Sequence, residues 1–145
     1  MSKKTHVYLI ISLIFAAFLT GCTNKTPKEF HLDQLTRVDV EVVNGNKSDQ
    51  EDVMITDEET IDIIRKTFDH IKWEPNVQPS MDRKEDVKAT LFFKYDENMP
   101  DRLFEYQIWF NQNNTATIIS NNEKEGYGDL DKVHAQTLKN IFLDK

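Results

Sequence analysis

Val87-Lys88-Ala89-Thr90-Leu91-Phe92-Phe93-Lys94-Tyr95 is followed by Phe104-Glu105-Tyr106-Gln107-Ile108-Trp109-Phe110, and then by Ala116-Thr117-Ile118-Ile119-Ser120. Apolar side chains recur at every second position. Val87, Ala89, Leu91, Phe93 and Tyr95 share one face, as do Phe104, Tyr106, Ile108 and Phe110, and then Ala116 and Ile118. A period of two marks a half-buried strand. Residues 96–102 and 111–114 are polar turns, so the three runs predict an antiparallel meander.

Core must face core. This sets Phe93 against Tyr106 and Leu91 against Ile108, and so Thr90 against Trp109 with Phe92 on the diagonal. Ile108 opposite Ile118 puts Thr117 beside Trp109 and Ile119 beside Gln107. Diagonal aromatic neighbours on a sheet can touch. The second face then carries a strip of Phe92, Trp109 and Ile119. The strip reads either as a partner or ligand surface, or as cross-strand stabilisation, or as apolar ground covered by Phe30 and Leu32.

Outward from the meander, residues 37–43 alternate through Val38, Val40 and Val42. Asn44-Gly45 is a turn signal, because both residues tolerate positive φ. A short second strand follows at 53–56. Residues 57–72 read as a helix: Thr56 and Glu59 fit a capping box. Ile61, Ile64, Phe68 and Ile71 make one apolar stripe, and Pro75 ends it. Residues 74–86 form a long polar loop. Trp73 either closes the core below the helix or stands at the lip of that loop. Residues 129–143 form a closing helix, with Asp129 as N-cap and Leu130, Val133, Leu138, Ile141 and Phe142 as its stripe. The order β-β-α-β-β-β-α predicts an α+β fold. An antiparallel sheet of about five strands carries both helices on one face, the other open to water.

The N-terminus addresses location. Lys3 and Lys4 precede an apolar run over residues 7–19. That run is short of the roughly 20 residues of a membrane span and matches a secretory h-region. Leu19-Thr20-Gly21-Cys22 follows, and Cys22 is the single cysteine of the chain. The tetrapeptide resembles a bacterial lipobox. The resemblance implies cleavage between Gly21 and Cys22 and a diacylglyceryl group on the Cys22 sulfur. A plain membrane anchor and an ordinary signal peptide are the competing readings. The lipoprotein reading divides the chain into a signal peptide (1–21), a lipidated cysteine with its tether (22–36) and one α+β domain (37–145). The membrane is then a partner through lipid alone, on the extracytoplasmic face, because two acyl chains hold where one does not.

The 145 residues hold 18 basic and 25 acidic side chains, a net charge of −7. Without Lys3 and Lys4 the balance is 16 to 25, or −9. That sign excludes a nucleic-acid partner and electrostatic adhesion to anionic lipid. A lone cysteine leaves no disulfide to support the fold.

Chemistry is sparse. Residues 121–132 partly imitate a calcium loop, but Lys132 stands where a bidentate Glu is needed. His31, His70 and His134 have no metal-ligand spacing. Ser48, Ser80 and Ser120 lack a nucleophile motif. No phosphate or dinucleotide fingerprint occurs. The sequence therefore names no catalytic residue, no metal and no cofactor.

The second half resembles the YhfM-like domain of small lipoproteins of Bacillus-type Firmicutes. The resemblance rests on the 104–110 strand, the asparagine-rich turn, the 115–120 strand, the Tyr127 turn and Leu138-Lys139-Asn140-Ile141. It implies an α+β domain outside a Gram-positive membrane and brings no site residue. The sequence thus predicts a non-catalytic, lipid-anchored domain that binds a protein or envelope component. Its contact residues would be Phe92, Trp109, Ile119 and Trp73. The alternatives are a small-ligand carrier or sensor, with a pocket between helices and sheet near Trp73 and Tyr127, and last a hydrolase.

Overall fold

A computed structural model describes residues 31–43, 52–77 and 79–144. The lipobox with Gly21 and Cys22, and the Asn44-Gly45 turn, lie outside the described residues. A 3-10 turn at Leu32–Gln34 leads into β1 (Leu35–Val42). Then come β2 (Val53–Ile55), α1 (Glu58–Asp69), β3 (Lys72–Glu74), β4 (Val87–Phe93), β5 (Arg102–Phe110), β6 (Ala116–Ser120), β7 (Tyr127–Leu130) and α2 (Lys132–Leu143). All seven strands form one antiparallel sheet in the order β2-β1-β4-β5-β6-β7-β3. The chain is α+β, and α1 carries it from one rim of the sheet to the other.

The alternation read from the sequence decides which face is core. Val42, Val87, Ile108, Ile118, Gly128 and Trp73 form one transverse row. Val40, Ala89, Tyr106 and Ser120 form the next. Ile61, Ile64 and Phe68 of α1 and Ala135, Leu138 and Phe142 of α2 are buried with these rows. Each large apolar side chain so placed contributes about 1.5–3 kcal/mol. A bulge at Thr36 shifts β1 against β4, and Arg65 of α1 donates to the Leu35 carbonyl there.

Several boundaries differ from the sequence reading, for physical reasons. Asp57, not Thr56, caps α1, its carboxylate accepting from the Thr60 N–H at 2.9 Å. The helix stops at Asp69, and the residues assigned to its last turn become β3. Asp131, not Asp129, caps α2, accepting from the Val133 and His134 N–H groups. Asp129 and Leu130 belong to β7, and Val133 is exposed. The sheet has seven strands rather than about five because β3 and β7 span three and four residues.

Ile108 does oppose Ile118, with Thr117 beside Trp109 and Ile119 beside Gln107. The β4–β5 register is shifted by four residues. Phe93 opposes Arg102, Leu91 opposes Phe104, and Thr90 opposes Glu105. A shift by an even number keeps every side chain on its face, so burial pattern alone could not exclude it. Phe92 and Trp109 therefore do not meet.

Candidate active site

The helix-side face of the sheet carries one polar cluster. Tyr106 and Ser120 are cross-strand partners on β5 and β6. The chain leaves β6 through a turn at residues 121–126, where the Glu125 and Gly126 N–H groups both donate to the Asn122 carbonyl. Gly126 has φ +65°, and a Cβ there would lie 3.2 Å from the Glu74 carbonyl oxygen. A glycine is thus required for the turn to close beside β3. The closure carries Glu125 inward until 8% of it is exposed.

The Ser120 hydroxyl donates to Glu125 Oε2 at 2.6 Å and accepts from the Asn122 N–H at 3.0 Å. Burial pushes the Glu125 carboxyl above its ordinary range, and the hydrogen bond from Ser120 only partly opposes it. Tyr106 is fully buried, and its hydroxyl makes no hydrogen bond. Burial first, then the charge of Glu125, raise its pKa beyond the phenol range, so it remains a proton-bearing donor. Phe68 meets the Tyr106 ring edge-on at 5.2 Å, and Trp73 lies tilted at 6.2 Å. A carboxyl poised upward, a hydroxyl bonded to it and an unsatisfied donor are the parts of an acid–base site.

A cleft of about 590 Å³ opens on the sheet, with Tyr106, Ser120 and Asn121 among its walls. Its remaining lining comes largely from the face away from the helices: Thr90, Phe92, Gln107 and Ile119, ringed by Asp39, Glu41, Asp52, Lys88 and Glu105. The sequence reading placed a ligand pocket between helices and sheet; the cleft instead opens mainly on the other face, and on the helix side Ile71 and Trp73 pack closely over Gly128.

The four aromatic and aliphatic candidates separate. Phe92 and Ile119 line the cleft. Trp109 is 3% exposed, and its Nε1–H donates to the Arg83 carbonyl at 2.9 Å. The loop before β4 covers it, held by a two-point Arg83–Asp86 contact at 2.7 and 2.9 Å. Trp73 lies on the helix side over Gly128 and closes the core. The sequence reading placed Tyr106 in the core and Glu125 in the 121–132 loop, and assigned neither to a site. It also missed a stack of His70 on His134, 3.8 Å between ring centroids. Asp131 holds His134 Nδ1 at 2.7 Å. Among the described residues no three His, Cys, Asp or Glu side chains are grouped to hold a metal ion, and no helix is long and apolar enough to cross a membrane.

No family model and no curated protein matches the sequence. Among solved structures, the chain is similar to a thioesterase-like protein from Clostridium sporogenes. The TM-score is 0.53 and the identity 22%, over 80% of this chain and 100% of that one. The likeness establishes the fold, an α+β arrangement of an antiparallel sheet with helices. It also overturns a step in the sequence argument. A protein described as thioesterase-like is built on this frame, so the lack of a nucleophile motif does not separate the chain from enzymes. The expectations of a non-catalytic binding domain, and of a chain that is not an enzyme, are corrected accordingly.

Proposed function

We propose that the domain hydrolyses a carboxylic ester or thioester, with Glu125 as general base, and that lipid on Cys22 holds it at the outer face of the cell membrane. One observation carries the catalytic reading: the fully buried Tyr106 hydroxyl has no acceptor, in a cluster where Ser120 donates to a carboxyl of raised pKa. A preorganised donor without a partner suits an oxygen that gains charge during reaction. The fold shared with a thioesterase-like protein supports the same chemistry. The attachment rests on Lys3, Lys4, the apolar run and Leu19-Thr20-Gly21-Cys22.

In the reaction, Glu125 accepts a proton from water as the water oxygen bonds to the substrate carbonyl carbon. The Tyr106 hydroxyl donates to the carbonyl oxygen as it becomes negative. The C–O or C–S bond then breaks, and the proton on Glu125 passes to the leaving oxygen or sulfur. Ser120 is a positioning residue, since its hydroxyl fixes Oε2 and is itself fixed by the Asn122 N–H.

The test is turnover of p-nitrophenyl esters and short acyl thioesters by the purified chain. Glu125→Gln should lose roughly 100-fold or more in kcat, the scale of a general base, and Ser120→Ala less. Absence of turnover on both substrate classes, or an unimpaired Glu125→Gln, would sink the proposal.

A further inference from the structure

The open-face cleft lies across the sheet from Glu125 and the Tyr106 hydroxyl, so a substrate must reach them from the helix side. Phe68 and Trp73 close on the Tyr106 ring, and Trp73 lies tightly over Gly128. The turn at residues 121–126 closes beside β3. Tyr95 stands on the remaining side. It is half-buried, and residues 96–101 after it belong to no helix or strand. Burial raises the Tyr95 phenol above its ordinary range, the Arg102 charge opposes this and the Glu125 charge adds to it. The ring is thus within electrostatic reach of both the buried carboxyl and an exposed guanidinium.

The register fixes which way Arg102 faces. It is opposite Phe93 and lies two and four residues before Phe104 and Tyr106, so it shares their face. Asp101 points to the other face, where its charge reaches Arg37 over Phe92. Every other arginine is neutralised: Arg37 by Asp39, Arg65 by Glu58 and Arg83 by Asp86. Arg102 has no ion pair among the described residues; its Cζ lies 4.7 Å from the centre of the Tyr95 ring. Such a ring holds a guanidinium by its flat side and leaves the planar fork of N–H donors to an oxyanion. A second observation stands on the same strand and face. The Tyr106 hydroxyl is fully buried and has no acceptor. An unpaired cation at the rim and an orphaned donor inside mark the two ends of one path.

We infer that Tyr95 and Arg102 form the mouth of the hydrolytic site, and that Arg102 pairs with an oxyanion of the substrate, a carboxylate or phosphate set apart from the scissile bond. Four residues of strand span about 13 Å, so a chain of several bonds separates the two groups. The substrate claim rests on the hydrolytic reading; the anion site at Arg102 is measured without turnover.

An NMR titration followed at the Arg102 Nε–H compares hexanoate, hexyl phosphate and hexan-1-ol. One of the two anions should shift that signal, less so as salt is raised, and the alcohol should not. No shift with either anion, or an equal shift with the alcohol, would overturn the site. Turnover then compares two matched pairs. Mono-p-nitrophenyl suberate against p-nitrophenyl octanoate adds a carboxylate on the acyl side. S-acetyl-4′-phosphopantetheine against S-acetylpantetheine adds a phosphate on the thiol side. The anionic member of one pair should have the higher kcat/KM, and the pair that shows it tells carboxylate from phosphate. Arg102→Gln should lower that ratio roughly fivefold, the upper worth of an exposed charge pair, mainly through KM, and Arg102→Glu should invert it. Anion binding at Arg102 with no turnover of any substrate would leave the site and remove the hydrolase. Turnover with no anionic preference in either pair, or a preference untouched by Arg102→Gln, would leave the hydrolase and remove the inference.

Discussion

Tyr106→Phe should raise stability and abolish catalysis together. The substitution keeps the ring, its edge contact with Phe68 at 5.2 Å and its approach to Trp73 at 6.2 Å. It deletes only a hydroxyl that is buried and without a partner. Leaving such a group unsatisfied costs about 1–3 kcal/mol, and a few tenths are lost with its dispersion contacts. The net expectation is a gain of about 1 kcal/mol, or roughly 4 °C in Tm for a domain of this size. Urea denaturation with an unchanged m-value would show that the gain is one of stability. Removing a donor aimed at the reacting carbonyl should lower kcat roughly 100- to 1000-fold. A loss of more than about 1 kcal/mol would mean that the hydroxyl is bonded in the folded protein. A stabilised variant with full activity would refute its role as the carbonyl donor.

Three other outcomes are expected. Gly128→Ala places a Cβ 2.5 Å from Ile71 Cγ2 and 2.7 Å from two Trp73 ring carbons. It should cost about 1–3 kcal/mol and shift Trp73 fluorescence, with partial rescue by Ile71→Ala; a neutral result would deny the close approach. The Glu125 carboxyl is raised above 4.5 in the folded state, so the native state binds the extra proton. Its contribution to stability is greatest at low pH, falls as pH rises from 4.5 through the folded pKa, and is flat above it. Glu125→Gln should remove that part of the slope, and an identical pH profile would contradict the burial argument. Cys22→Ser should prevent incorporation of labelled palmitate and release the protein from membranes; continued membrane attachment with no label would favour a plain anchor.

The core was legible because alternation is local. Val87, Ala89, Leu91 and Phe93, with Tyr106, Ile108 and Ile118, lie on the face their spacing indicated. What joins strands was less legible. The β4–β5 register depends on how residues 94–101 turn, and parity cannot measure that. β3 carries Trp73 between two charged residues, so its pattern looked like the frayed end of a helix. In β7 the core position is Gly128, which leaves no side chain to signal a strand. Two aspartates, Asp129 and Asp131, offered equally good caps for the last helix. The site was hidden for a related reason. Tyr106 and Ser120 are brought together by strand pairing, and Glu125 sits in Asn-Asn-Glu-Lys-Glu-Gly, which reads as a solvated turn. Gly126 held the available signal, because a glycine at positive φ directs the chain back and its neighbour inward.

Both rims of the sheet end in three-residue strands, β2 and β3, while the runs of eight, seven and nine residues lie inside it. A free edge offers unpaired N–H and C=O groups to any strand that passes, and length sets how much it offers. The apolar strands that could zip with a second molecule are flanked on both sides by their own neighbours. The exposed β3 edge is further guarded by Lys72 and Glu74, which face solvent on either side of Trp73. The two short edge strands, of which β3 was hidden from the alternation, thus protect the chain from edge-to-edge aggregation.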